Sequence, residues 1–253
     1  MNNQKFNLLD LYKLQLLDNK ISFLEKEMEK LKSNEELKTL KEDLNDSILK
    51  LKDLNDNLNG LEREKRKLED DLSIKNEKIK KNEQKLSSGT LTSTKEIISY
   101  QEEIVSIKKL NEEIENKIIE ILIKIDDLNE LIKLENDKKD KINAHVNKLE
   151  DEINDKLSII DQKLKNYNDK RENIVVNIPQ DLIVQYNDLK QKKGGLAIGI
   201  LKDRLCTACN MEMSAGEANK MDDFNQIYKC PTCRRMIIKY REEIDNINEE
   251  FSE

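Results

Sequence analysis

From Leu37 to Leu86 one stripe of apolar residues recurs at intervals of seven. With Leu37 as heptad position a, the series continues Leu44, Leu51, Leu58, Lys65, Leu72, Ile79 and Leu86, and seven of these eight are apolar. The d series is Leu40, Ser47, Leu54, Leu61, Leu68, Lys75 and Asn82, of which four are apolar. So narrow a stripe, held for this long, buries against a partner helix rather than in a broad globular core, and it predicts a coiled coil. Upstream, Leu17, Ile21, Leu24, Met28 and Leu31 keep the same three-four spacing in another phase. The slip between the two phases predicts a stutter or break around Ser33–Glu36.

A second stripe starts at Ile97 and continues through Ile104, Asn111, Ile118, Ile125, Ile132, Lys139, Val146, Ile153, Ile160 and Tyr167. Its d companions are Tyr100, Ile107, Ile114, Ile121, Leu128, Glu135, Ile142, Leu149, Lys156 and Lys163. Charged residues make up 38% of the chain and aromatics 4%. That composition alone would also suit a disordered chain. A register held over eleven heptads is not a property of disorder, so the periodicity decides for helix.

Between the stripes lies the small polar run Ser87-Ser88-Gly89-Thr90-Leu91-Thr92-Ser93-Thr94. Gly89 suits the left-handed end of a helix, and Ser93 followed by Glu96 reads as a capping box. Arms of similar length joined by a short turn predict that the chain folds back on itself. Register fades at Asn173–Asn177, Pro179 opens a further helix and Gly194-Gly195 closes it. The predicted fold is mostly α: a long antiparallel coiled-coil hairpin over residues 1–173 (turn near 87–94), with a small C-terminal β ribbon. A connecting helix fills 174–195, the ribbon 196–241 and an acidic tail 242–253.

The ribbon is predicted from Cys206-Thr207-Ala208-Cys209 and Cys230-Pro231-Thr232-Cys233. Two residues between ligands let the backbone turn so that both sulfurs converge, and the intervening twenty bring the second pair to the other side of one ion. The four thiolates Cys206, Cys209, Cys230 and Cys233 would complete a closed tetrahedral site, implying one structural Zn2+ rather than a catalytic metal. Two disulfides, two redox dithiols and a rubredoxin-like iron are the competing readings. Leu196–Leu201, Asn225–Lys229 and Arg234–Tyr240 read as three strands around the knuckles, in a ribbon held together mainly by its metal.

The sequence resembles a bacterial family of coiled-coil proteins with a C-terminal C4-type zinc ribbon. The shared stretches are LLDLYKLQLLDNKISFLE, KLSSGTLTSTKEIISYQEEI, IPQDLIVQYNDLKQKKGGLAIGILKDRLCTAC and CPTCRRMII. The resemblance implies a hairpin with a terminal ribbon. It also implies links to nucleic-acid binding and to flagellar or secretion regulation through protein partners. Members often place glycine after the last cysteine, where this chain has Arg234.

Charge bears on partners. From Lys190 to Arg241 eleven Lys and Arg face five acids, a local excess of six in a chain of net −7, so the remainder is thirteen negative. Lys229, Arg234, Arg235, Lys239 and Arg241 flank the second knuckle and are the candidate contacts to RNA or DNA, with Tyr228 and Tyr240 available for stacking. The alternative is a protein-only adaptor or chaperone whose partner binds the coiled coil. His145 and the pairs Asp70-Asp71 and Asp126-Asp127 read as ordinary helix-surface residues. No catalytic or small-molecule-binding motif stands out, so the expectation is not an enzyme. The sequence shows neither a signal peptide nor a membrane span, and the expected location is cytoplasmic.

Overall fold

A computed structural model describes residues 8–89, 93–221, 223 and 226–251. Thr90, Leu91 and Thr92 of the expected turn, Asn225 of the expected second strand, and the last two residues of the expected tail lie outside the described residues. The helices are α1 (Leu8–Lys32), α2 (Glu35–Ser87), α3 (Thr94–Val175) and α4 (Gln180–Lys192). The fold is a long helical hairpin with a small C-terminal sheet. Among the described residues no helix is long and apolar enough to cross a membrane. The chain divides into two compact units, Glu35–Glu150 on the one hand and Met1–Asn34 with Asp151–Glu253 on the other.

In the first of these units the two arms pair through the predicted stripes. Leu51, Ile79, Ile104, Ile107, Ile114, Ile121 and Val146 are all buried. Cross-arm polar contacts fix the direction. Lys41 meets Glu150 at 2.6 Å, Lys50 meets Glu135 at 2.7 Å and Lys78 meets Glu103 at 2.6 Å. Numbers rise along α2 as they fall along α3, so the arms are antiparallel. The polar heptad positions pair with one another or with flanking residues. Ser47 Oγ donates to Glu135 Oε1 at 2.7 Å, and both residues are buried. Asn82 Nδ2 donates to Glu103, and Asn111 Nδ2 to Asn76. Such pairs are matched only in one alignment, so they set register where the apolar stripe alone would tolerate a slip.

The expected phase slip appears as the break between α1 and α2 at Ser33-Asn34. Gly89 at the end of α2 takes φ +67°, and the Ser93 carbonyl accepts from the Glu96 and Ile97 amides at the start of α3. Along α3 one edge of the seam shifts. Past Ile153 the a residues Ile160 and Tyr167 stay shielded, but their companions are Leu157 and Leu164, whereas the expected d residues Lys156 and Lys163 are exposed. The apolar side chains there sit one residue further on, and burial follows them.

The second unit is organised by α1. Its apolar face, including Leu8, Leu11 and Leu14, packs with Ile183 and Tyr186 of α4 and with the sheet. Three polar residues at three-residue spacing each reach a different element. Gln15 forms strand-like hydrogen bonds with the ribbon backbone, accepting from Ala197 N at 2.8 Å and Ile198 N at 2.7 Å and donating to Ile198 O at 3.0 Å. Tyr12 donates to Asn248. Asp18, only 2% exposed, accepts from Arg171 Nε (2.7 Å) and Tyr186 Oη (2.9 Å) and pairs with Lys190 Nζ (2.8 Å).

The sheet has five strands where three were expected: β1 (Ile198–Lys202), β2 (Leu205–Cys206), β3 (Met211–Glu212), β4 (Tyr228–Lys229) and β5 (Met236–Lys239), in the order β3-β2-β1-β5-β4. The central pair, β1 with β5, is parallel, and the outer pairs are antiparallel. A short helix α5 (Ala215–Asn219) follows β3, held by a Ser214–Glu217 capping box. The stretch read as an acidic tail contains a helix, α6 (Glu243–Glu250), whose Ile244 and Ile247 are buried in the α1 core.

Burial alone would raise the Asp18 carboxyl, but its bonds from Lys190, Arg171 and Tyr186 outweigh that and hold it below the ordinary carboxylate range. A depressed folded value means that the stabilisation is complete above the unfolded value of about 3.9 and is lost as pH falls through the folded one. Asp18→Asn should destabilise the second unit by about 2–3 kcal/mol at neutral pH, less than for a fully buried pair because both cations are partly solvated. It should also flatten that part of the acid dependence. Thermal unfolding followed by circular dichroism between pH 3 and 7 checks both.

Candidate metal centre

Residues alternate across β1 and β5 as the pleat requires. Ile198, Ile200, Met236 and Ile238 point into the helical core, while Leu201 and Ile237 face the cysteine side together with Met213 and Met221. The sheet is therefore a partition between two apolar clusters. Cys206 ends β2 and Cys230 follows β4, and both are completely buried; Cys209 and Cys233 sit at the tips of their turns, half-buried.

Both knuckles use the same backbone device. After Cys209, Asn210 takes φ +56° and its amide donates to the Cys206 carbonyl at 2.8 Å. After Cys233, Arg234 takes φ +63° and its amide donates to the Cys230 carbonyl at 2.9 Å. The left-handed residue reverses the chain so that the two sulfurs of each pair converge. Glycine adopts this conformation most cheaply, so Arg234 holds the turn at some cost in local strain. Between β1 and β2, Asp203 (φ +50°) and Arg204 (φ +67°) form a two-residue hairpin turn of the kind that suits strand twist.

The four Sγ atoms lie within 4.8 Å of one another. Cys209 and Cys230 sulfurs are 3.9 Å apart. A tetrahedron with metal–sulfur bonds of about 2.3 Å has edges of about 3.8 Å, so the cluster fits a single four-thiolate ion. Burial pushes the Cys206 thiol up to about 12 and raises Cys209. Burial, the largest influence on Cys233, also acts upward, but hydrogen bonds from the Arg235 backbone and side chain and from Cys230 and Cys209 leave that thiol at about 7. A cation binding here must displace protons from buried thiols, and its charge is what makes four neighbouring thiolates tolerable.

The predicted nucleic-acid residues separate into two groups. Lys229 and Arg234 are exposed on either side of the second knuckle. Arg235 is turned inward. Its Nε donates to the Leu196 carbonyl at 2.6 Å and its Nη2 to the Lys193 carbonyl at 3.1 Å, so it ties the knuckle to the chain ahead of β1. Lys239 and Arg241 are half-buried. The tyrosines read as available for stacking are engaged. Tyr228 Oη accepts from the Asp223 amide, while Tyr240 donates to Asp245 and has Lys202 Nζ 4.2 Å above its ring.

Sequence reading passed over Gly199. A Cβ there would lie 2.8 Å from the Ala208 Cβ and 3.1 Å from the Cys206 sulfur. A glycine between two isoleucines of a strand is the signal that could have marked a close backbone approach.

The CT398-like coiled coil hairpin domain profile matches residues 14–194 and so ends ahead of β1. The uncharacterized protein Rv2229c of Mycobacterium tuberculosis is 22% identical over 156 residues, or 61% of this chain. The chain spans 63% of the length of that curated relative. Among solved structures, CT398 from Chlamydia trachomatis superposes with a TM-score of 0.65 at 16% identity, covering 91% of this chain and 98% of that one. A Mycobacterium smegmatis protein gives 0.60 at 18% identity, covering 94% and 100%. At these identities the likeness is one of fold.

Gly199→Val should displace the first knuckle. Its side chain would press on backbone and sulfur that cannot retreat without moving Cys206. Metal affinity, measured by competition with a chromophoric chelator, should weaken about tenfold or more, while the helical circular dichroism of the Glu35–Glu150 hairpin stays unchanged.

Proposed function

We propose that this chain, which belongs to the CT398-like coiled coil hairpin domain family, is a non-enzymatic adaptor. In this reading its ribbon is stabilised by one zinc ion and meets nucleic acid through the basic rim of the second knuckle. The observation that carries the reading is the position of Lys229 and Arg234, exposed directly before Cys230 and directly after Cys233. Two cations held on a metal-braced turn present a preorganised phosphate contact. With the two tyrosines engaged, the contact is to the backbone of RNA or DNA rather than to its bases. A zinc ion with four thiolates adds a net charge of about −2, so the exposed cations and not the module's total charge account for the attraction. A reducing, cytoplasmic setting suits four free thiols.

A second reading has its own observation. Ile119, Leu122 and Ile123 are exposed at neighbouring positions on α3. Apolar groups at that spacing suit a helical protein partner, as in an adaptor or chaperone that binds through its coiled coil.

Zinc should be found at one equivalent per chain in freshly purified protein. Cys206→Ser should lose it without reducing most of the helical signal; elemental analysis showing iron, or well under half an equivalent of metal, would refute the assignment. Filter binding across a salt series tests the nucleic-acid contact. The double variant Lys229→Glu/Arg234→Glu, still loaded with zinc, should bind about tenfold or more weakly and lose about two units of salt slope. Absence of binding by the unaltered protein would give the protein-partner reading the lead.

A further inference from the structure

The outer side of α3 carries a short motif whose charges are complementary to their own reverse. Asp127, Leu131, Leu134 and Lys138 follow one another at intervals of four, three and four residues, which sets them along one helix face. All four are exposed, Leu131 by 51% and Leu134 by 58%. Two large apolar side chains standing open between an acid and a base are not explained by pairing within the hairpin, whose seam lies elsewhere on the helix.

Beside this face runs an open groove of about 500 Å³ between α2 and α3, lined in part by Asp56, Gly60, Leu61, Asp127 and Leu131. Gly60 is the one glycine in α1–α4, and a Cβ added there would meet nothing within 4 Å. Internal packing therefore does not require it, although glycine is disfavoured in a helix interior. A missing side chain on an open wall is what the close approach of a second helix would use.

We propose that a second copy of the chain docks on this face, α3 against α3 in antiparallel sense, with a two-fold axis between Leu131 and Leu134. Under that symmetry Leu131 of one copy lies across from Leu134 of the other, twice, and Asp127 lies across from Lys138, twice. A two-fold contact must be complementary to itself, and the order Asp–Leu–Leu–Lys satisfies this. Lys138 can turn outward without stranding its present partner, because Glu135 also holds Ser47 and Lys50. The next residues outward on the face, Lys124 and Lys141, carry like charges and mark where the contact ends. An interface of this extent belongs to the small class, so a weak, concentration-dependent dimer is expected.

Sedimentation equilibrium on the full chain, up to roughly millimolar concentration, should show the mass rising from 29.7 kDa toward twice that value. Asp127→Lys and Lys138→Asp should each weaken association about tenfold or more by placing like charges across the axis, with circular dichroism unchanged. The combined charge swap should restore it. A protein that stays monomeric throughout would overturn the proposal and leave the face to a different partner. So would a dimer indifferent to both single variants, or one that the combined swap fails to restore.

Discussion

The parallel pairing of β1 with β5 is the contact on which the C-terminal half is arranged. Residues on a strand alternate between faces, so the run Ile198-Gly199-Ile200-Leu201 cannot serve one cluster only. Its odd and even members are divided between the helical core and the cysteine cluster, and Met236-Ile237-Ile238 divides in the same way. A slip of one residue would turn Gly199 toward the helices and an isoleucine toward the Cys206 sulfur, where 3.1 Å leaves no room even for a Cβ. Register is thus fixed by sterics on one face and by apolar burial on the other. Gln15 adds a third constraint, because its amide matches the backbone groups of Ala197 and Ile198 in one position only.

The helices were legible in the sequence because their signal is long. A heptad stripe repeats enough times to outvote its polar exceptions, and several of those exceptions proved to be paired, as with Ser47 and Glu135. The Lys50 ammonium and then the Ser47 hydroxyl hold the Glu135 carboxyl below its usual range, so the acid stays charged at a seam position. The cysteine cluster was legible for a different reason: its spacing fixes convergence almost regardless of what surrounds it. Most short elements were not legible. β2 and β3 are two residues each, too brief for any alternation to register, whereas β4, equally short, falls within the expected strand Asn225–Lys229. The turn at Asp203-Arg204 uses left-handed residues without the glycine or asparagine that would announce it. α6 was hidden by its acidity, since only Ile244 and Ile247 of its eight residues carry the burial.

Arg235 shows where charge counting misleads. In a tally it is one more cation beside a knuckle. In the structure its guanidinium spans two backbone carbonyls, and it also lowers the Cys233 thiol. Arg234, its neighbour, is exposed because the left-handed turn throws it outward. Adjacent arginines thus take opposite tasks, and the backbone conformation at one position decides which is which.

The two-faced sheet also changes what a metal held by the four cysteines would have to do. A ribbon alone, with few aromatics, would depend on its ion for almost all of its stability. Here one face is already covered. Ile198, Ile200, Met236 and Ile238 are buried against α1 and α6, at about 1.5–3 kcal/mol for each large side chain withdrawn from water. That burial holds the central β1–β5 pair even where the knuckles are loose. What a bound ion would secure is the other face, where Leu201, Met213, Met221 and Ile237 are kept from water beneath the two knuckles. Loss of the ion would therefore not simply unfold the ribbon. It would open an apolar patch on a sheet still anchored to its helices, and an exposed patch of that kind favours association with other chains.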